Sequence, residues 1–131
     1  MKKFETPNEL KSALLKVYDE STVHYNPAVY SNDSEIRKQW SPKNPTWGQC
    51  VPTSILVQKL FGGDIFKLPY HYYNMIDGEI VDLTSDQFVF EGKIVDYSKG
   101  VKKTTPFTQE ALYRYGLLLK KLENLVHKNI D

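Results

Sequence analysis

The stretch H-Y-Y-N-M-I-D-G-E-I-V-D-L-T, residues 71–84, leaves this chain the fewest choices. Asp77-Gly78 lies between two runs rich in aromatic and β-branched residues, the strongest short-range signal for a hairpin with a two-residue turn. We read strands at about Tyr70–Ile76 and Glu79–Thr84. A two-residue turn fixes the register, so Ile76 opposes Glu79, Tyr73 opposes Asp82 and His71 opposes Thr84. Side chains alternate between the faces of a strand. His71, Tyr73 and Met75 therefore share a face with Ile80, Asp82 and Thr84. His71 and Asp82 become diagonal neighbours, with backbones roughly 7–8 Å apart, a gap that one His–Asp hydrogen bond spans. Asn74 points to the other face and is a poor candidate for orienting His71.

The single cysteine of the chain, Cys50, ends W-G-Q-C and opens C-V-P-T-S-I-L-V-Q-K-L-F-G-G. Pro52 is tolerated only in a first helical turn. Ile55, Leu56, Val57, Leu60 and Phe61 make the helix apolar over most of its circumference, so it is expected to be buried. Gly62 and Gly63 end it. Cys50 thus starts a central helix. If that helix packs on the His71 face with its N-terminus near the imidazole, thiol and ring meet. A helix N-terminus and an adjacent imidazolium both favour a thiolate. His71 would take the thiol proton and return one to a leaving group, while Asp82 holds the ring's tautomer. The Cys50 N–H, free at a helix start, would face a developing oxyanion.

The remaining chain supplies a frame for this centre. T-P-N-E at Thr6–Glu9 reads as a capping box with proline at the first helical position, and Leu10, Ala13, Leu14 and Val17 continue a helix to about Glu20. Residues 21–49 hold Pro27, Pro42 and Pro45 and read as a long functional loop with a short helix at Ser34–Gln39. A further strand is expected at Lys93–Tyr97, and a last helix from Thr105 or Thr108. Its stripe is Leu112, Tyr115, Leu118, Leu119, Leu122, Leu125 and Val126, with Lys120, Lys121 and Lys128 toward its end. The fold class is α+β in one domain over residues 1–131: a central helix on a short antiparallel sheet, flanked by N- and C-terminal helices.

Composition narrows the function classes. Seventeen basic residues against sixteen acidic, scattered along the chain, forecast no nucleic-acid partner. No apolar run is long enough to span a membrane, and M-K-K-F-E-T-P-N-E-L-K has no apolar segment after its lysines, so no secretory signal is visible. One cysteine excludes an intrachain disulfide, and a cytoplasmic setting is expected. No cofactor is implied, and no close ligand pair supports a metal, although zinc on Cys50, His71 and Asp82 is conceivable.

Gly48-Gln49-Cys50, His71-Tyr72-Tyr73-Asn74 and Asp82-Leu83-Thr84 resemble, in order, the transglutaminase-like cysteine triad: G-Q-C at a helix start, H-x-W-N on a strand and D-x-T on the next. Tyr73 stands where that family has tryptophan. Only 21 positions separate Cys50 from His71, so the likeness is to a pared-down version. It implies a papain-like arrangement and acyl transfer through a thioester, without implying calcium, cross-linking or a particular substrate. It also implies that an indole N–H can join the Cys N–H at the oxyanion. Trp40 and Trp47 are both candidates for this, and with Gln49 and Tyr73 they complete the oxyanion and substrate-binding candidates around the catalytic set Cys50, His71 and Asp82. From Trp40 to the last helix the chain resembles the small bacterial YunG-like proteins, a family with no assigned reaction. That likeness rests on W-S-P at Trp40–Pro42, G-Q-C, F-G-G at Phe61–Gly63, H-Y-Y-N, D-G-E-I-V-D-L-T, Gln87-Phe88 and Arg114-Tyr115.

Three functional readings follow. The first is a cysteine hydrolase or acyltransferase, whether peptidase, amidase, deamidase or transglutaminase-like, acting on a peptide or small amide or ester; it expects a depressed Cys50 pKa. The second is a non-catalytic binding module on the same scaffold. The third makes Cys50, His71 and the tryptophans plain packing residues. Sequence leaves the substrate and oligomeric state open.

Overall fold

A computed structural model describes residues 4–25 and 37–130, with side chains as far as His127. The chain runs through α1 (Pro7–Leu14), a 3-10 turn (Glu20–Thr22), α2 (Cys50–Phe61), β1 (Asp64–Leu68), β2 (His71–Ile76), β3 (Glu79–Val81), α3 (Asp86–Phe90), a second 3-10 turn (Tyr97–Lys99), β4 (Val101–Lys102) and α4 (Gln109–Ile130). The strands form one antiparallel sheet in the order β3-β2-β1-β4. The architecture is α+β. Among the described residues no helix is long and apolar enough to cross a membrane.

The hairpin has the expected register, with Ile76 opposite Glu79 and Asn74 opposite Val81. Asp77 and Gly78 both adopt positive φ, 51° and 78°, as a two-residue turn matching strand twist requires. β3 stops at Val81, three residues short of the expected end, because Asp82 and Thr84 turn inward to bond each other. The strand expected at Lys93–Tyr97 is absent. Ile94 is 95% exposed, and a β-prone run with no pairing partner among the described residues stays irregular. Tyr97 instead opens a 3-10 turn, with the Asp96 carboxylate accepting from Ser98 N–H at 3.0 Å. β1 and β4, not anticipated, extend the sheet on its other side.

Thr6 caps α1 by accepting from Glu9 N–H at 3.2 Å. The Glu9 carboxylate reaches back to Glu5 N–H instead of Thr6 N–H, at 3.0 Å. The helix ends at Leu14, and looser turns carry the chain on to Tyr18. Thr108 caps α4 by accepting from Ala111 N–H at 3.2 Å. In the expected stripe Leu118, Leu122 and Val126 are buried, but Leu112 is exposed and Ala111 takes the core position. Lys121 ties α4 to Asp19 at 2.6 Å; the side chain of Lys128, and residues 34–36 of the expected Ser34–Gln39 helix, lie outside the described set.

The main core joins Leu10 and Leu14 of α1, Leu56 and Val57 of α2, Leu83, and Leu118 and Leu122 of α4. Every residue from Val51 to Val57 is buried. The first two turns of α2 are therefore covered on all sides, while Gln58 and Lys59 in its last turns are exposed. A smaller cluster of Val51, Ile55, Ile65 and Ala111 continues the core toward the start of α2.

Candidate functional site

The segment that delivers Cys50 is a series of tight turns. Trp47 N–H donates to Asn44 O at 3.1 Å, and Gln49 N–H to Thr46 O at 3.1 Å. Gly48 has φ 71°, and a Cβ there would lie 2.8 Å from Val23 Cγ1; both the left-handed backbone and the close approach require glycine. The loop is pinned from outside as well. His24 N–H donates to Gly48 O at 2.9 Å, and Gly48 N–H to Gln87 Oε1 at 3.3 Å. Gln49 N-caps α2 by position; its side chain is fully buried and Nε2 donates to Asp19 O at 3.0 Å. Its carbonyl accepts from Thr53 N–H at 3.1 Å. Cys50 and Val51 thus present N–H groups in a first turn that has no intrahelical acceptors for them. The half-buried Cys50 is the first residue of that turn.

His71 and Asp82 meet at the end of the hairpin, Nε2 to Oδ2, at 2.7 Å. Their side chains are 0% and 4% exposed. A buried pair of this kind holds only if the remaining lone pairs are met. Tyr97 O–H donates to the same Oδ2 at 2.7 Å, and Thr84 N–H donates to Oδ1 at 3.2 Å. The Asp82 contact fixes Nε2 as the nitrogen that donates, which leaves Nδ1 to face elsewhere. Nδ1 is buried and no protein group among the described residues meets it in a well-formed hydrogen bond. Cys50 lies near enough to act on the imidazole electrostatically. Burial alone would push the imidazole down; the Asp82 hydrogen bond first, then hydrogen bonding to Cys50 and the charges of Cys50 and Asp82, reverse this and raise His71 to about 9.

The route by which helix and histidine meet differs from the expected one. Asn74 Nδ2 donates to Ser54 O of α2 at 3.0 Å, Tyr72 packs with the cluster at the start of α2, and Ile76 packs on the main core. α2 therefore covers the Tyr72–Asn74–Ile76 face, not the face of His71 and Tyr73. Cys50 still influences His71 because the histidine is the first residue of its strand, at the sheet's end. Asn74 faces away from His71, as expected, and anchors the helix.

The other candidates separate. Trp40 packs on the main core and donates its indole N–H to Pro45 O at 2.9 Å, so that donor is already engaged. Trp47 is half-buried one residue before Gly48. Tyr73 is 2% exposed. It packs against Phe66, His71 and Tyr97 with its hydroxyl against Gly100, where any Cβ would collide with it. Tyr73 is a core residue behind the histidine and not a substrate wall.

Three residues of the site carried no role in the sequence reading. Tyr97 was assigned to a strand, although Asp96-Tyr97-Ser98 has the aspartate spacing of a turn that caps its own backbone. Phe88 packs its ring edge-on to His71, centroids 4.8 Å apart at 81°, and Gln87 holds Gly48; the only sign of either was their place in the Q-F pair. Among the described residues no three His, Cys, Asp or Glu side chains gather as metal ligands.

A helix-opening cysteine, a strand-end histidine and a post-strand aspartate, on a four-stranded antiparallel sheet backed by helices, define a small α+β protein with a buried imidazole–carboxylate pair. The profile of the YunG protein family matches residues 6–127, nearly the whole chain, and the chain belongs to that family. The uncharacterized protein YunG of Bacillus subtilis (strain 168) is 43% identical over 54 residues, which cover 38% of this chain and 47% of that relative. The chain thus spans about half the length of the curated relative it matches. No solved structure matches it.

Proposed function

We propose that the protein is a cysteine-dependent hydrolase or acyltransferase acting on an amide or ester bond, built on a pared-down papain-like scaffold of the transglutaminase kind. The observation that carries this reading is the buried His71–Asp82 pair, whose Nδ1 has no hydrogen-bond partner among the described residues and whose imidazole is raised in part by Cys50 at the start of α2.

In this reading Nδ1 takes the Cys50 proton, and the thiolate sulfur attacks the carbonyl carbon. The carbon–sulfur bond forms, and the first-turn N–H groups of α2 receive the oxyanion. The bond to the leaving nitrogen or oxygen then breaks, and His71 gives its proton to that group. Water, or an amine acceptor, attacks the thioester with His71 as base, releasing the acid or the new amide and restoring the thiol. Asp82 orients the ring throughout. A reducing cytoplasmic setting suits a working thiol.

The test is acyl trapping. The protein is mixed with a p-nitrophenyl ester and its intact mass is followed. An acyl adduct on Cys50 that forms and decays, is missing in Cys50→Ala, and forms at least about a hundredfold more slowly in His71→Ala is the expected result. Ester turnover that survives Cys50→Ala overturns the proposal.

A further inference from the structure

A cavity of about 320 Å³ lies between α2, β1 and the segment leading into α4, lined by Gln58, Ile65, Lys103, Thr104, Thr105 and Phe107 among others. Two of its apolar lining residues, Ile65 and Phe107, share a hydrophobic cluster with Cys50. Ile65 belongs to the cluster on which Cys50, Tyr72 and Phe107 all pack, and the Phe107 and Tyr72 ring centroids are 5.8 Å apart. Lys67 is the cross-strand partner of Tyr72 and so shares its face of the sheet.

The cavity's charge is unbalanced. Lys103 Nζ is held 4.5 Å from the Phe107 ring centroid and donates to Thr105 Oγ1 at 2.9 Å. Such a cation–π contact fixes an ammonium in place without neutralising it. Neighbouring Lys102 has a carboxylate, Asp64, at 3.4 Å. Among the described residues neither Lys103 nor Lys67 has one. Partial burial and then the Lys67 charge hold the Lys103 ammonium below its usual range. Two like charges beside a cavity of mixed lining, with Ile65, Pro106 and Phe107 as its apolar part and one ammonium already ordered, are complementary to a carboxylate on a short methylene stem.

We propose that this cavity is a side-chain subsite of the Cys50 centre and takes an Asp or Glu side chain of a peptide substrate. Lys103 binds the carboxylate, Lys67 adds to the field, and Ile65 and Phe107 enclose the stem. The inference rests on the cysteine-acyltransfer reading for its purpose, but not for the binding itself. It selects an acidic peptide from the broader class of amides and esters.

Two measurements separate the claims. First, the Cys50→Ala protein is titrated with acetyl-Glu-amide and acetyl-Gln-amide while the backbone amides of Lys103 and Phe107 are followed by NMR. The glutamate compound is expected to bind saturably and about tenfold more tightly than the glutamine compound, with the preference lost in Lys103→Gln and kept in Lys103→Arg. Equal binding of the two compounds, a preference that survives Lys103→Gln, or no saturable binding overturns the subsite. Second, Cys50 in the otherwise native chain is alkylated with iodoacetate and with iodoacetamide. The ratio of the two rates is expected to fall about fivefold in the Lys67→Gln, Lys103→Gln double variant, and in high salt. An unchanged ratio overturns the link between cavity and thiol. Failure of both reagents to label Cys50 overturns the catalytic reading and, with it, the subsite's service to Cys50, while the titration still decides whether the cavity binds an acid.

Discussion

Asp82 is the residue on which the candidate site turns. Its two oxygens accept from His71, Tyr97 and Thr84, and it sets which imidazole nitrogen is left for the thiol. The imidazole titration should record each neighbour separately. By NMR, His71 is expected to titrate at about 9 in the native chain. In Cys50→Ala it should fall, because the thiol's hydrogen bond and charge are gone. It should fall further in Asp82→Asn, which removes the larger favourable cause. An imidazole that titrates alike in all three proteins contradicts the cluster. Tyr97→Phe removes one donor from Oδ2 while leaving His71 in place, so a urea melt should show a loss of about 0.5–1.5 kcal/mol. The His71–Asp82 contact was legible in the sequence because the Asp77-Gly78 turn fixes which side chains of the hairpin share a face. Tyr97 was not, because its partner is fifteen positions away and no periodicity connects them.

At the scale of elements, α2 and the hairpin were legible for strong local reasons: a proline allowed only in a first turn, two glycines to stop the helix, and a two-residue turn. The side of the sheet on which α2 lies was not. β2 is apolar or aromatic on both faces, with Tyr73 and Met75 on one and Tyr72 and Ile76 on the other, so alternation alone does not say which face a helix covers. Nor did pattern reveal β4, a strand of two residues. The Lys93–Tyr97 segment forms no strand because strand propensity expresses packing against neighbours, and among the described residues none pairs with it. The loop into α2 makes its own prediction. Gly48→Ala imposes a left-handed conformation on a Cβ that also meets Val23, and should cost about 1–3 kcal/mol in urea unfolding. It should also slow Cys50 alkylation in the folded protein, since the helix start is displaced. An alanine variant equal to the native chain in both would show that the turn does not position the thiol.

The whole molecule is held by the three-helix core, with the site at the sheet's end as a secondary contributor. Leu56 and Leu118 are 1% and 0% exposed. Leu118→Ala should cost about 2–5 kcal/mol by urea denaturation, since it leaves a cavity where α4 packs on the core. The site leaves its mark in the pH dependence. His71 titrates at about 9 when folded, against about 6.5 in an unfolded chain. Its contribution to stability is therefore full below about pH 6.5 and is lost as the pH rises through about 9. Urea midpoints should decline over that window in the native protein and decline less in His71→Ala, with other groups held constant by the comparison.

The most direct measurement is the second-order rate of Cys50 alkylation by iodoacetamide from pH 5 to 10, in the native protein and in His71→Ala. A thiol served by the His71 imidazole predicts that the native protein is alkylated about tenfold or more faster than His71→Ala at neutral pH. Superimposable profiles, or a native thiol that the reagent does not reach until the protein unfolds, would contradict the account.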